Sequence, residues 1–166
     1  MIATTRAYIG LGSNLNNPYK QIKQALSALK TVPKTEFISH SSLYQSTPMG
    51  PQDQPNYINA AAILDTTLDA NTLLTHLQSI ENQQGRERNG DHWGARTLDL
   101  DLLIYGEIQQ KNIKLTLPHP GLHLRNFVLI PLNEIAPNLE IPGLGNLQKI
   151  INNISADGLQ ILEKAP

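Results

Sequence analysis

Leu98-Asp99-Leu100-Asp101-Leu102-Leu103-Ile104-Tyr105 is an apolar run whose first half carries a carboxylate at every second position. In a strand, residues i and i+2 share a face. Asp99 and Asp101 would then stand side by side, with Leu98, Leu100 and Leu102 directed the other way. Asp is unfavourable in strands, and like charges on one face repel. A hard divalent cation held by carboxylate oxygens relieves both costs. The competing reading is a half-buried strand with a solvated face. His92, Trp93 and Arg96 lie just upstream.

Working outward, Ala7–Leu11 reads as a first strand, which Gly12-Ser13-Asn14 is expected to break. From Pro18 onward, Ile22, Ala25, Leu26 and Leu29 recur at helical spacing, and Pro18 suits a first turn. Residues 37–44 give a weaker strand and Tyr57–Leu64 a firmer one. Asn71–Gln84 is a helix, with Leu73, Leu74, Leu77 and Ile80 on one stripe and a cap near Asp69 or Asn71. Segments 47–55 and 85–95 are rich in Pro or Gly and read as loops. Leu98–Tyr105 closes the order β-α-β-β-α-β. That predicts a ferredoxin-like α+β fold, an antiparallel sheet with helices on one face, followed by a C-terminal extension. In the extension, Lys114–Leu117 suggests a short strand, and Phe127–Ile135 and Leu147–Ile151 short helices.

A chain of 166 residues with no internal repeat is expected to form a single domain, 1–166. No run approaches the ~20 apolar residues of a membrane span. The opening Met1–Arg6 lacks the order of a signal peptide, so a cytoplasmic protein without membrane partners is expected. The absence of cysteine excludes disulfides, thiolate catalysis and Cys-ligated zinc. A net charge of −1 argues against a nucleic-acid partner. Four arginines, Arg86, Arg88, Arg96 and Arg125, fall between residues 86 and 125 while lysines dominate elsewhere. Arg suits forked phosphate contacts, so a local anion site is expected.

Each remaining constellation has a plain alternative. Gly10-Leu11-Gly12-Ser13-Asn14 could be a phosphate loop but matches neither common pattern, and a tight turn with Ser13 or Asn14 ordering the local backbone is preferred. Trp93, in a polar glycine-rich segment, either anchors its loop or stacks on a planar ligand. Asn59 shares a strand face with Tyr57, and its amide could both donate to and accept from a heterocycle edge. His119, between two prolines, keeps its ring nitrogens available. His40, His76 and His123 show no ligand spacing and are read as structural. An Asp pair on a strand suits Mg-nucleotide chemistry, in which substrate phosphates and water complete the octahedron.

His92-Trp93-Gly94-Ala95-Arg96-Thr97-Leu98-Asp99-Leu100-Asp101-Leu102-Leu103 resembles the signature of the 6-hydroxymethyl-7,8-dihydropterin pyrophosphokinase family. Ala7–Asn14, Gly50–Ala61, Gln83–Arg86 and Leu117–Pro120 resemble further family segments in the same order. The resemblance implies transfer of pyrophosphate from ATP to the pterin hydroxymethyl group in folate biosynthesis, by a monomer. It implies that Asp99 and Asp101 hold two Mg²⁺ ions, and that Arg86 and Arg96 neutralise the transferred group. Gln78, Glu81, Arg88, Arg96, Leu102, Lys114, Thr116, His119 and Arg125 would bind ATP. Ser46, Thr47, Met49, Gly50, Tyr57, Asn59, Trp93 and Phe127 would form the pterin pocket. This chain carries His92 and Lys114 where such proteins often have Arg, Pro120 in place of a frequent aromatic, and Thr47 in place of a frequent proline. Two other readings use the same residues. One is a palm-like nucleotidyltransferase or cyclase, also built on strand carboxylates and two metals. The other is a non-catalytic ferredoxin-like module binding RNA or a small ligand, which sparse aromatics weaken.

Overall fold

The computed structural model describes residues 3–46, 56–85 and 97–166. The chain runs β1 (Thr5–Ser13), α1 (Pro18–Leu29), β2 (Thr35–His40), β3 (Leu43–Ser46), β4 (Tyr57–Thr66), α2 (Ala70–Gln83) and β5 (Asp99–Tyr105). There follow β6 (Gln110–Lys111), β7 (Thr116–Leu117), α3 (Asn126–Ile135), β8 (Glu140–Ile141), β9 (Gly145–Asn146), α4 (Leu147–Ile151) and β10 (Leu159–Glu163). The main sheet has the order β10-β3-β4-β1-β5, with β2 also paired to β4. Every pairing in it is antiparallel. Thus β4 lies between the two ends of the β1–α1–β2 crossover, and β1 between the two ends of the β4–α2–β5 crossover. Each helix spans one intervening strand, which lets neighbours run antiparallel while both helices stay on one side.

The two faces of the sheet are covered differently. Ala7, Ile9 and Leu11 of β1, alternate residues of β4 and Leu100 and Leu102 of β5 bury themselves under Ile22, Ala25 and Leu29 of α1 and Leu73, Leu77 and Ile80 of α2. The 3.6-residue stripes read from sequence make this layer. Asn17, in a left-handed conformation, and the following Pro18 start α1. Asp69 starts α2 by accepting from the Thr72 amide at 2.8 Å. The opposite face carries Tyr8, Leu103 and Ile104, which pack against Leu129 and Leu132 of α3 and Leu147 of α4. A register shift between Tyr8 and Ile9 leaves Leu103 as the extra residue of a bulge. That shift lets the adjacent Leu103 and Ile104 both turn toward the C-terminal helices, as bulges re-aim side chains.

Three expectations need correction. Gly12 and Ser13 do not break β1; the strand continues to Ser13, because Gly12 is paired on both sides, with Asn59 and with Asp99. Residues 37–44 form parts of two strands, not one. At the break, the Ser41 backbone amide donates to the Ala61 carbonyl at 2.8 Å, while the Ser41 hydroxyl accepts from the Ala61 amide at 2.9 Å. A side chain thus replaces a ladder carbonyl, and no buried donor is orphaned. The C-terminal extension, expected to hold a short strand at Lys114–Leu117 and two short helices, also supplies β10, which pairs with β3 and becomes the sheet edge. Among the described residues no helix is long and apolar enough to cross a membrane.

Candidate active site

The face that α1 and α2 leave open carries the predicted chemistry. Asp99 is paired with Gly12, and Asp101 with Gly10. Both carboxylates therefore project from the face that Tyr8 and Leu103 also use. On the other side of β1, Gly12 is paired with Asn59, and Asn59 in turn with Tyr44 of β3. Ser46, opposite Tyr57, lies on the same face. Two inter-strand spacings separate Asn59 from Asp99, about 10 Å at ~4.8 Å per strand. A ligand lying across Gly12 could therefore touch the amide at one end and reach the carboxylates with the other.

Glycine at position 12 keeps that crossing open. A Cβ there would come within 3.3 Å of Asn59 Oδ1 and 3.9 Å of Tyr57 Cδ1. Asn59 is buried, and its amide donates to Ser46 Oγ at 2.7 Å. That bond fixes the amide orientation and points Oδ1 toward Gly12. The sequence reads Gly12 as the start of a turn, and its role as a strand floor is what that reading misses. Glycine inside a paired strand marks close approach by a ligand or another chain.

At the carboxylate end, the His119 amide donates to the Leu103 carbonyl at 2.8 Å, pinning the loop after β7 to β5. His119 Nε2 then lies 3.9 Å from Asp101 Oδ1. The Arg125 guanidinium sits 5.9 Å from the centre of the Phe127 ring, a cation–π arrangement. It links one residue expected on the phosphates to one expected on the pterin. Hard oxygen donors with an imidazole nearby fit magnesium better than a soft metal. Among the described residues no group of three or more His, Asp or Glu could cage an ion by itself. An Mg²⁺ here would need substrate phosphates and water to complete its shell, which is its usual habit.

The other ATP-side expectations are distributed less tightly. Glu81 is buried, and its Oε2 accepts from the Leu100 amide at 2.8 Å, at the peptide between the two aspartates. A carboxylate on the outer edge of β5 thus holds in place the strand that presents Asp99 and Asp101. Gln78, one turn earlier, is half-buried on the same side of α2. Leu102 turns its side chain into the layer under α1 and α2, away from Asp101. Thr116 is half-buried in β7, which packs beside β5. Lys114 is exposed and stands close enough to Asp69 to help hold that carboxyl below its ordinary range, after the Thr72 hydrogen bonds that dominate the shift. Asp69 caps the end of α2 about 13 Å from Gln78 along the axis, at 1.5 Å per residue. Arg86, Arg88, Arg96, Thr47, Met49, Gly50 and Trp93 lie outside the described residues.

A hollow of about 710 Å³ lies at the other end of the sheet, lined by Lys34, Glu36, Asp65, Asp69 and Thr72 among others. Its two aspartates already have partners: Asp65 is bridged by Arg6 at 2.9 Å, and Asp69 caps α2. None of the expected site residues lines it.

The described residues therefore make an α+β protein with paired carboxylates facing a buried amide across one glycine. A model of the 7,8-dihydro-6-hydroxymethylpterin-pyrophosphokinase (HPPK) family matches residues 8–137. The chain is 47% identical over 149 residues to the 2-amino-4-hydroxy-6-hydroxymethyldihydropteridine pyrophosphokinase of Haemophilus influenzae, covering 90% of this chain and 92% of that one. It is 43% identical over 160 residues to the protein of the same name from Pseudomonas aeruginosa, covering 96% and 98%. A crystal structure of wild-type Plasmodium falciparum HPPK-DHPS with pterin and p-hydroxybenzoate superposes with a TM-score of 0.75 at 13% identity. That match covers all of this chain and 48% of the other, so this chain spans about half its length. At that identity the likeness concerns the fold. This chain belongs to the HPPK family.

Proposed function

We infer that this chain transfers pyrophosphate from ATP to the hydroxymethyl group of 6-hydroxymethyl-7,8-dihydropterin, for folate biosynthesis. The hydroxymethyl oxygen attacks the β-phosphorus, the bond from that phosphorus to the α–β bridging oxygen breaks, and AMP leaves with the electron pair. The hydroxyl proton is lost to solvent or a nearby base. The observation that carries this reading is the Asp99–Asp101 pair facing the Ser46-bound Asn59 amide across Gly12. Family membership supports the same reading.

In this scheme Asp99 and Asp101 would hold two Mg²⁺ ions, which supply charge neutralisation along the triphosphate and align it for in-line attack. His119 and Arg125 lie at the phosphate end, with Arg86, Arg88 and Arg96 joining them by resemblance to the family. Gln78, Glu81, Lys114 and Thr116 would border the nucleotide, with Leu102 meeting it through its backbone, since its side chain is turned into the core. Ser46, Tyr57 and Asn59 read the pterin edge, and Phe127 forms a wall, with Thr47, Met49, Gly50 and Trp93 completing the pocket by the same resemblance. Catalysis then rests on orientation and electrostatic stabilisation rather than a covalent intermediate. The strand order supports the ferredoxin-like plan, and we take residues 1–166 as one domain acting as a cytoplasmic monomer without nucleic-acid partners. Product analysis tests the reading: AMP should appear only when the dihydropterin is present. ADP as product would make the chain a simple kinase, and free pyrophosphate would favour the nucleotidyltransferase reading.

A further inference from the structure

A carboxylate far from the phosphates ties together the two sides of the proposed pterin slot. Glu134, in the last turn of α3, accepts from the Ser42 amide at 3.0 Å, from the Ser42 hydroxyl at 2.8 Å and from the Tyr44 hydroxyl. The Ser42 hydroxyl also accepts from the Ala165 amide at 2.9 Å, so the C-terminal tail joins the same knot. Such bonds to an ionised acceptor are stronger than neutral ones. Tyr44 is paired with Asn59 in the sheet, and Ser46, two residues on, holds the Asn59 amide. Phe127 lies seven residues before Glu134 on α3, about 10 Å along one side of the helix. The floor of the slot is therefore fastened to β3, its wall to α3, and Glu134 to both.

We propose that Glu134 is a positioning residue that fixes the placement of the Phe127 wall relative to the Ser46–Asn59 pair, and so selects for a heterocycle whose hydrogen-bonding edge meets the Asn59 amide while its ring lies against Phe127. This rests on the pterin site proposed above. If α3 slid relative to β3, the Ser42 amide would lose its acceptor, a cost that holds this placement.

Calorimetric titration with 6-hydroxymethylpterin, the oxidised form of the substrate, and separately with Mg²⁺ and a non-hydrolysable ATP analogue tests this on Glu134→Gln, Tyr44→Phe and Asn59→Ala. Glu134→Gln keeps the shape but turns an amide NH₂ toward the donors. We expect its pterin dissociation constant to rise about tenfold and that of Tyr44→Phe about threefold, with nucleotide affinity held within about twofold. In turnover, the pterin KM should rise more than kcat falls. Pterin affinity unchanged in both Glu134→Gln and Tyr44→Phe, or affinity for both ligands lost in step with the melting temperature, overturns the proposal. Should Glu134→Gln not fold, Tyr44→Phe decides by the same two criteria. Asn59→Ala separates the two levels of argument. If it weakens pterin binding while the other two variants do not, only the positioning role falls. If it leaves pterin binding intact, the site itself is misplaced and the proposal falls with it.

Discussion

Replacing Gly12 by Ala tests the site while leaving the fold intact. The backbone there is ordinary paired strand, so Ala incurs no backbone strain, and loss of glycine's flexibility contributes about 0.5–1 kcal/mol of stability, set against the tight contact that the new methyl group makes. The added Cβ would lie 3.3 Å from Asn59 Oδ1 and 3.9 Å from Tyr57 Cδ1. The first distance is tight, and Asn59 cannot swing aside without breaking its 2.7 Å bond to Ser46. The methyl group therefore sits on the acceptor a heterocycle edge would use and raises the floor beneath it. Losing one buried hydrogen bond costs about 1–3 kcal/mol, or roughly 5- to 150-fold in affinity at 1.4 kcal/mol per tenfold. Fluorescence titration of 6-hydroxymethylpterin reads the affinity, and thermal unfolding reads stability. The expected result is a weaker pterin complex in a protein that still folds cooperatively, with the loss of pterin affinity larger than any loss of stability. Normal pterin affinity in Gly12→Ala would refute the claim that the ligand crosses β1 at this residue.

Three other substitutions probe separate parts of the argument. Asp101→Ala should lower kcat by at least ~100-fold, as loss of electrostatic stabilisation commonly does, and near-normal turnover in a coupled AMP assay would remove the metal role. Leu77→Ala opens a cavity under a fully buried side chain and should cost about 2–5 kcal/mol in urea unfolding; a loss below 1 kcal/mol would mean that α2 is not seated as described. Asp65 is held below the usual carboxylate range, chiefly by its hydrogen bond to Arg6. A depressed folded pKa gives stability that is present above the unfolded value, near 4, and is lost as pH falls through the folded one. The pair is partly exposed, so Asp65→Asn should remove only about 0.2–1 kcal/mol at neutral pH, and the gap between variant and parent should close below about pH 4. A gap that persists at pH 2 would assign the effect to packing.

Much of the fold could be read because its signals are local. The α1 and α2 stripes repeat at 3.6 residues, and Asp69 and Pro18 mark their starts within a turn. β4 was legible despite its alanines because turn-forming residues bound it. The features that escaped depend on distant partners. Gly12 looks like a turn residue until Asn59 and Asp99, 47 and 87 positions away, pair with it. The break at Ser41–Ser42 is closed by Ala61 and Glu134, and β10 becomes a strand only because the β3 edge is available to it. Leu162 of β10 is 47% exposed, so no alternation of buried and exposed residues announced it.

The candidate site divides along the same line. The Asp99–Asp101 pair could be read from an i, i+2 spacing, and Asn59 from being polar within a strand. Neither residue alone says what lies opposite it, and the assignment of the remaining partners came from resemblance to the family. The structure adds the column that joins them: Asn59, Gly12 and Asp99 occupy one line across three strands. A slip of one residue between β1 and β5 would turn both carboxylates into the apolar layer under α1 and α2. The bulge at Leu103 takes up the change of register beyond the site and leaves the Gly10–Asp101 and Gly12–Asp99 pairings intact. Glu81, bonded to the amide between the aspartates, resists the same slip from the outer edge. The apolar core and the carboxylate pair therefore depend on one register, which the fold secures from both sides of β5.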